Sequence, residues 1–148
     1  MQRFQNFIDN RYLDAAKGEW LDSYDPYLAE PWAQIPRSTN EDADRAIEAA
    51  HRAFVDSEWS RLTASERGKL LIRFADLLET RAEELARIET RDNGKLYAEM
   101  LGQLRYIPSF YRYYGGLADK LEGNVVPIDK ADIFNFNQYE PLGVIAAI

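Results

Sequence analysis

The side chains that could carry chemistry in this sequence are few and scattered. There is one histidine, His51, and no cysteine. Disulfides, thiolate metal sites and cysteine nucleophiles are therefore excluded within these residues. His51 lies on the flank of the apolar face that runs from Ile47 to Phe54. With no second histidine or thiol to complete a triad or a metal site, it reads as structural. The paired acids Glu41-Asp42 and Glu83-Glu84 fall in the first turns of predicted helices. The helix dipole favours negative charge there, which explains them better than general acid–base work. Tyr106 and the run Phe110-Tyr111-Arg112-Tyr113-Tyr114 carry enough aromatic surface to stack on bases. Their helical spacing instead predicts core and rim packing. Gly115-Gly116 and Gly143 form neither a GxGxxG fingerprint nor a phosphate loop. No catalytic constellation is visible.

Bulk properties narrow the classes further. The chain has 148 residues, 46% hydrophobic and 29% charged, with 18 basic against 25 acidic side chains and a net charge of -7. That composition is globular, and its sign argues against a nucleic-acid surface, which needs clustered excess Lys and Arg. Met1-Gln2-Arg3-Phe4-Gln5 leads into no apolar signal region. No stretch approaches the ~20 apolar residues of a membrane span. The expectation is a cytoplasmic protein.

The elements that must position any site can be read along the chain. Phe7-Ile8 and Tyr12-Leu13 flank Asp9-Asn10-Arg11, a predicted hairpin, because Asp and Asn tolerate positive φ. Trp20–Tyr24, stopped by Asp25-Pro26, and Trp32–Ile35, closed by Pro36, read as further short strands. Thr39 is the predicted N-cap of a first helix with Ala43, Ala46, Ile47, Ala50 and Phe54 on one face. Residues 56–60 break the pattern. Thr63-Ala64-Ser65-Glu66 has the spacing of a capping box and opens a second helix carrying Leu70, Leu71, Phe74, Leu77 and Leu78. Thr80-Arg81-Ala82-Glu83 repeats that spacing and predicts a third, with Leu85, Ala86 and Ile88 inward, ended by Asn93-Gly94. A fourth helical region bears Met100, Leu101, Leu104, Ile107, Tyr111 and Tyr114, with a break expected near Pro108 and a loosened end at Gly115-Gly116.

The last stretch changes character twice. Phe134, Phe136 and Gln138 alternate with polar neighbours, the period of a half-exposed strand. After Glu140-Pro141 comes Gly143-Val144-Ile145-Ala146-Ala147-Ile148, apolar throughout, which suits a strand buried on both faces of a parallel sheet. Such a strand needs neighbours, and nothing follows to supply them. The sequence therefore reads as the beginning of a longer protein, α/β in class.

Taken in order, several segments resemble one family. They are Asp25-Pro26, Ile35-Pro36, the helix end Ala49-Ala50-His51-Arg52-Ala53-Phe54, Trp59, Glu66-Arg67, and Glu89-Thr90-Arg91-Asp92-Asn93-Gly94-Lys95. Then come Arg112-Tyr113-Tyr114-Gly115-Gly116-Leu117-Ala118-Asp119-Lys120-Leu121-Glu122-Gly123, Val126-Pro127 and Glu140-Pro141-Leu142-Gly143-Val144. This order is similar to the opening of the NAD(P)-dependent aldehyde dehydrogenases, over roughly the whole chain. The departures are Asp9-Asn10-Arg11, where that family often has Asp/Asn-Gly, and Pro108 within an expected helix.

The resemblance implies that residues 1–148 are an incomplete N-terminal part of the nucleotide-binding domain, aldehyde dehydrogenase-like in fold. It implies short hairpin strands, a helical layer, and the start of a Rossmann-like sheet at Val144–Ile148. Residues 131–141 would then be an oligomerisation-arm strand, and the full-length form a homo-oligomer. The implied reaction is oxidation of a small-molecule aldehyde to its acid, with NAD or NADP as hydride acceptor. Family members use a cysteine thiolate, a deacylating glutamate, and coenzyme-binding residues that all lie downstream of the matched segments. No catalytic or cofactor-binding residue is therefore expected in this chain.

One minor site of the family has counterparts here. A structural monovalent cation is held by a backbone carbonyl before the Asp/Asn-Pro and by the acid of the Asp-x-Gly-Lys segment. Ser23 or Tyr24 and Asp92 are the matching positions. Asp92 sits near a helix C-terminus, where the dipole disfavours an acid and a cation would offset it. The alternative reading is an exposed acid in a loop. For the whole chain, the rival expectation is a stand-alone binding or oligomerisation module derived from the same family. The exposed apolar end, with no charged residue after Glu140, speaks against it.

Overall fold

Asp9 and Asn10 both adopt left-handed backbone, at φ 52° and 61°, and fold β2 (Asn6–Ile8) onto β3 (Arg11–Leu13) as an antiparallel hairpin. The computed structural model describes residues 1–148. A second sheet has the order β1-β5-β4. Its central strand β5 (Glu30–Pro36) runs antiparallel to β4 (Trp20–Asp25) and parallel to the short β1 (Gln2–Arg3). The register of β4 on β5 shifts between Ser23 and Tyr24, a bulge that leaves Tyr24 opposite Pro31, a residue with no N–H to give.

Five helices follow. In α1 (Asn40–Val55), Asp42 reaches back to the Thr39 N–H at 2.9 Å and also accepts the Ala16 N–H at 2.9 Å. Asp42 is thus a buried cap and a tie to the preceding loop, not merely a charge in the first turn. The predicted break holds a single turn, α2 (Glu58–Arg61), which begins at Ser57. The box at Thr63 forms as expected, Glu66 accepting from the Thr63 N–H at 2.8 Å, and opens α3 (Ala64–Thr80). The box expected at Thr80 does not form. The Thr80 hydroxyl donates to the Leu77 carbonyl at 2.8 Å and finishes α3 instead. Arg81 alone then joins it to α4 (Ala82–Asn93), gripping Glu84 at 2.8 and 2.6 Å. Gly94, at φ 76°, ends α4 in the left-handed conformation that glycine adopts without strain.

α5 (Tyr97–Leu117) runs unbroken through Pro108, against expectation. Pro108 and Met100 are the two largest fully buried side chains. α5 packs against both α3 and α4, and that tertiary contact holds the helix where the missing N–H would otherwise end it. Nor does Gly115 loosen the end. A Cβ on Gly68 would lie 2.3 Å from the Gly115 carbonyl oxygen, and one on Gly115 would lie 2.8 Å from the Gly68 oxygen. The two glycines let α3 and α5 cross backbone to backbone.

The core is small. Only 13 of 148 residues are buried, and four of the buried hydrophobic ones are alanines on helices. Ile47 is 57% exposed and Phe54 36%, because nothing in the chain covers the expected apolar face of α1. Phe74, Leu77 and Tyr114 are exposed as well, while Leu70, Leu71 and Leu78 are half-buried. The accessible surface is 11859 Å² for 17.1 kDa. A compact monomer of that mass exposes about 7,800 Å², so some 4,000 Å² remain in water that a self-contained fold of this size would bury.

Beyond α5 the chain is extended and exposed. The strands expected at 134–139 and 144–148 do not form as ladders. One antiparallel bridge, Val125 to Phe136, is the only pairing there. Phe134 and Phe136 face each other at 5.6 Å between rings, both in solvent. The backbone of 144–148 has no neighbouring strand to pair with, which is the physical reason its apolar run stays single.

Candidate functional site

Two of the three candidate cation ligands meet. The Ser23 hydroxyl, on β4 at the bulge, donates to Asp92 Oδ1 at 2.5 Å from the last turn of α4. Together they border a cavity of about 200 Å³ walled by Trp32, Ala33 and Ile88. The Trp32 Nε1 group is buried there without a hydrogen-bond partner. The third candidate, Tyr24, projects a side chain that is 55% exposed. Only its main chain, at the bulge opposite Pro31, remains near the pair.

The segments around these residues interlock. Asp25 Oδ1 accepts the N–H groups of Tyr27 and Leu28 at 2.9 and 3.1 Å, closing the turn between β4 and β5. Pro26 lies against Gly94, where an added Cβ would approach its Cβ to 3.2 Å. Asn93 donates to Glu89 at 2.9 Å and accepts the Lys95 N–H at 2.9 Å. Asp25-Pro26 and Asp92-Asn93-Gly94-Lys95, far apart in sequence, thus form one joint between sheet and helix.

That joint offers hard oxygen donors: a hydroxyl, one carboxylate and main-chain carbonyls at a bulge. A single acid matches a monovalent cation, and divalent ions call for more charge. No three histidine, cysteine, aspartate or glutamate side chains cluster anywhere in the chain. The residues present therefore fit part of a monovalent-cation shell, with the Ser23–Asp92 hydrogen bond occupying one of the oxygens.

The remaining candidates stay apart. His51 is exposed on α1 and makes no hydrogen bond. Tyr111 packs edge-on to Phe74 at 4.9 Å between rings, and Tyr106 to Phe110 at 5.1 Å, the latter pair in solvent. Arg112 is tied to Asp76 at 2.8 Å and Glu79 at 2.5 Å, so this aromatic run carries no free cation for a nucleic acid. No helix is long and apolar enough to cross a membrane. What the sequence reading missed is a cationic cleft at Arg87, Arg91 and Lys95. Their four-residue spacing was its available signal.

A hairpin and a bulged sheet are set against a helical layer, and the two motif segments are joined through Ser23–Asp92 and Pro26–Gly94. The sequence model of the aldehyde dehydrogenase family matches residues 12–148, and the chain belongs to that family. It is 47% identical over 148 residues to the (Z)-2-((N-methylformamido)methylene)-5-hydroxybutyrolactone dehydrogenase of Acinetobacter baylyi, covering all of this chain and 30% of that one. Against the mitochondrial aldehyde dehydrogenase of Rattus norvegicus it is 41% identical over 146 residues, covering 97% of this chain and 28% of the relative. Among solved structures, a mutant aldehyde dehydrogenase from Bacillus cereus superposes with a TM-score of 0.90 at 34% identity, over 95% of this chain and 29% of that one. A betaine aldehyde dehydrogenase from Staphylococcus aureus, solved in complex with NAD+, gives 0.81 at 38% identity over 86% and 26%. The chain spans about 30% of the length of these relatives.

Proposed function

We propose that residues 1–148 form the N-terminal part of the nucleotide-binding domain of an NAD(P)-dependent aldehyde dehydrogenase, a homo-oligomeric cytoplasmic enzyme that oxidises an aldehyde to a carboxylic acid. The observation that carries this reading is the agreement of fold and segment order with enzymes roughly three times as long. The ~4,000 Å² of surface in excess of a compact monomer supports it, since a further domain would cover such faces.

In the parent protein the nicotinamide coenzyme, NAD or NADP, supplies the acceptor for hydride. The residues here hold no thiol to attack a carbonyl, and their part is positional. The α3–α5 crossing and the Ser23–Asp92 joint would hold the layer on which the coenzyme sheet lies. The carbonyl of Ser23 or Tyr24 and the carboxylate of Asp92 would hold a monovalent cation that locks this joint. Residues 131–141 act as the oligomerisation arm, consistent with the exposed Phe134 and Phe136. With a net charge of -7 the chain offers no broad surface to nucleic acid.

The test is to express the protein encoded by the whole reading frame and assay it with a panel of aldehydes and either coenzyme. Aldehyde-dependent reduction of the nicotinamide is expected, and none from the 148-residue chain alone. A stop codon directly after Ile148, with a soluble monodisperse product, would overturn the enzyme reading in favour of a binding or oligomerisation module.

A further inference from the structure

A cleft of about 590 Å³ opens between the β4–β5 turn and the α4–α5 junction. Its charge is opposite to that of the chain as a whole. Arg87, Arg91 and Lys95 line it, against Asp25 as the one acid. Asp25 Oδ1 is committed to the Tyr27 and Leu28 N–H groups, and Oδ2 lies 3.8 Å from Arg91 Nε. One of the three cations is therefore partly answered and two are not.

The guanidinium groups are also ordered. Arg87 lies over the Tyr97 ring at 5.0 Å, and Arg91 over the Trp32 ring at 5.3 Å. Stacking on an aromatic face fixes the plane of a guanidinium without neutralising it. Neither Arg87 nor Lys95 is paired with a carboxylate, although acidic side chains outnumber basic ones in the chain. A basic residue in the last turn of a helix ordinarily answers that helix's own dipole, and Arg91 does so in α4. Arg87 stands one turn earlier and Lys95 beyond the Gly94 stop, so the dipole of α4 accounts for neither.

The amino end of α5 opens on the same cleft through Leu96 and Tyr97. Leu96 provides no side-chain cap, and the first N–H returned to the helix is that of Met100, to the Leu96 carbonyl at 3.0 Å. The N–H groups ahead of it add to the positive potential that the side chains create.

We propose that this cleft binds a small phosphate monoester. Arg87, Lys95 and the amino end of α5 hold the phosphoryl group, and the organic part lies along Tyr27 and Leu28. The volume leaves room beside the phosphoryl group for an organic part, since it falls within the range of small-molecule sites, about 300–1,000 Å³. Three cations against one acid suit the two charges of a phosphate monoester better than the single charge of a carboxylate.

The experiment is calorimetric titration of the full-length protein with phenyl phosphate and, separately, with inorganic phosphate. Phenyl phosphate is expected to bind, and more tightly than inorganic phosphate. The double variant Arg87→Gln/Lys95→Gln is expected to weaken it about tenfold or more at an unchanged melting temperature. Arg45→Gln, a charge change on α1, should leave it as it was. Should the double variant not fold, Lys95→Gln alone, past the end of α4, carries the same test with a smaller loss. Absence of binding, equal affinity in the Gln variants, or inorganic phosphate binding as tightly as phenyl phosphate would each overturn the proposal.

Discussion

Ser23 Oγ and Asp92 Oδ1, 69 residues apart, are 2.5 Å from one another. This hydrogen bond ties the bulge of β4 to the last turn of α4, where the dipole of the helix repels the acid it holds. A monovalent cation beside the carboxylate would relieve that repulsion. The melting temperature is therefore expected to be higher in sodium or potassium chloride than in choline chloride at equal ionic strength. Asp92→Asn, which keeps the shape and removes the charge, should abolish the difference. An equal cation effect in both proteins would move the ion away from Asp92.

Asp42 ionises more readily than an ordinary aspartate, chiefly because its carboxylate accepts the Thr39 N–H and also the Ala16 N–H, against an opposing cost of burial. Glu66 is shifted the same way by Thr63. A carboxyl whose folded pKa is depressed stabilises the fold above its unfolded pKa, about 3.9 for Asp, and ceases to do so as pH falls through the folded value. Urea midpoints should fall for the native sequence below about pH 4. Asp42→Asn should be less stable at neutral pH, and its curve should converge on the native one in acid. Parallel curves would show that the Asp42 charge contributes nothing.

Gly68→Ala and Gly115→Ala each force an atom into backbone less than 3 Å away. Each is expected to lower stability by about 1–3 kcal/mol, the cost of overpacking a close contact. Gly116→Ala, in the same helix with nothing within 4 Å of its Cβ position, should instead raise it by about 0.5–1 kcal/mol. Chemical denaturation decides, and a Gly68→Ala protein as stable as the native one would mean that the helices are further apart than described.

Asn10 holds φ 61° in a two-residue turn that favours glycine at its second position. Asn10→Gly should leave stability equal or slightly higher, read from the thermal midpoint. A fall of several degrees would show that the Asn10 side chain matters for more than the turn.

How much could be read in advance depended on how local each signal was. The turn at Asp9-Asn10, the box at Thr63 and Glu66, and the stop at Gly94 each involve groups within a few residues, and each forms as the sequence predicts. The Thr80 box had the same spacing, but Thr80 still belonged to α3, and its hydroxyl was spent on Leu77. Pro108 predicts a break from chain-local sterics alone, and packing from two other helices overrode it. At the site, the family resemblance pointed to the carbonyl of Ser23 or Tyr24 and to the Asp92 carboxylate; Ser23 and Asp92 lie together, but through the Ser23 hydroxyl. It did not point to Arg87, Arg91 and Lys95, because their convergence depends on how the β4–β5 turn and the start of α5 sit beside α4, which a periodicity cannot see.

The glycine crossing has a mechanical consequence. Where Gly68 meets Gly115 the contact is backbone on backbone, so at that point α3 and α5 have no rotamer change by which to draw apart, and only the flanking side chains such as Ile72 can adjust. The segment after Leu117 also leaves from beside the first turn of α3, where the Ser65 hydroxyl donates to Asp119 at 2.9 Å, so a pull on the residues beyond Asp119 bears on that turn as well as on the end of α5.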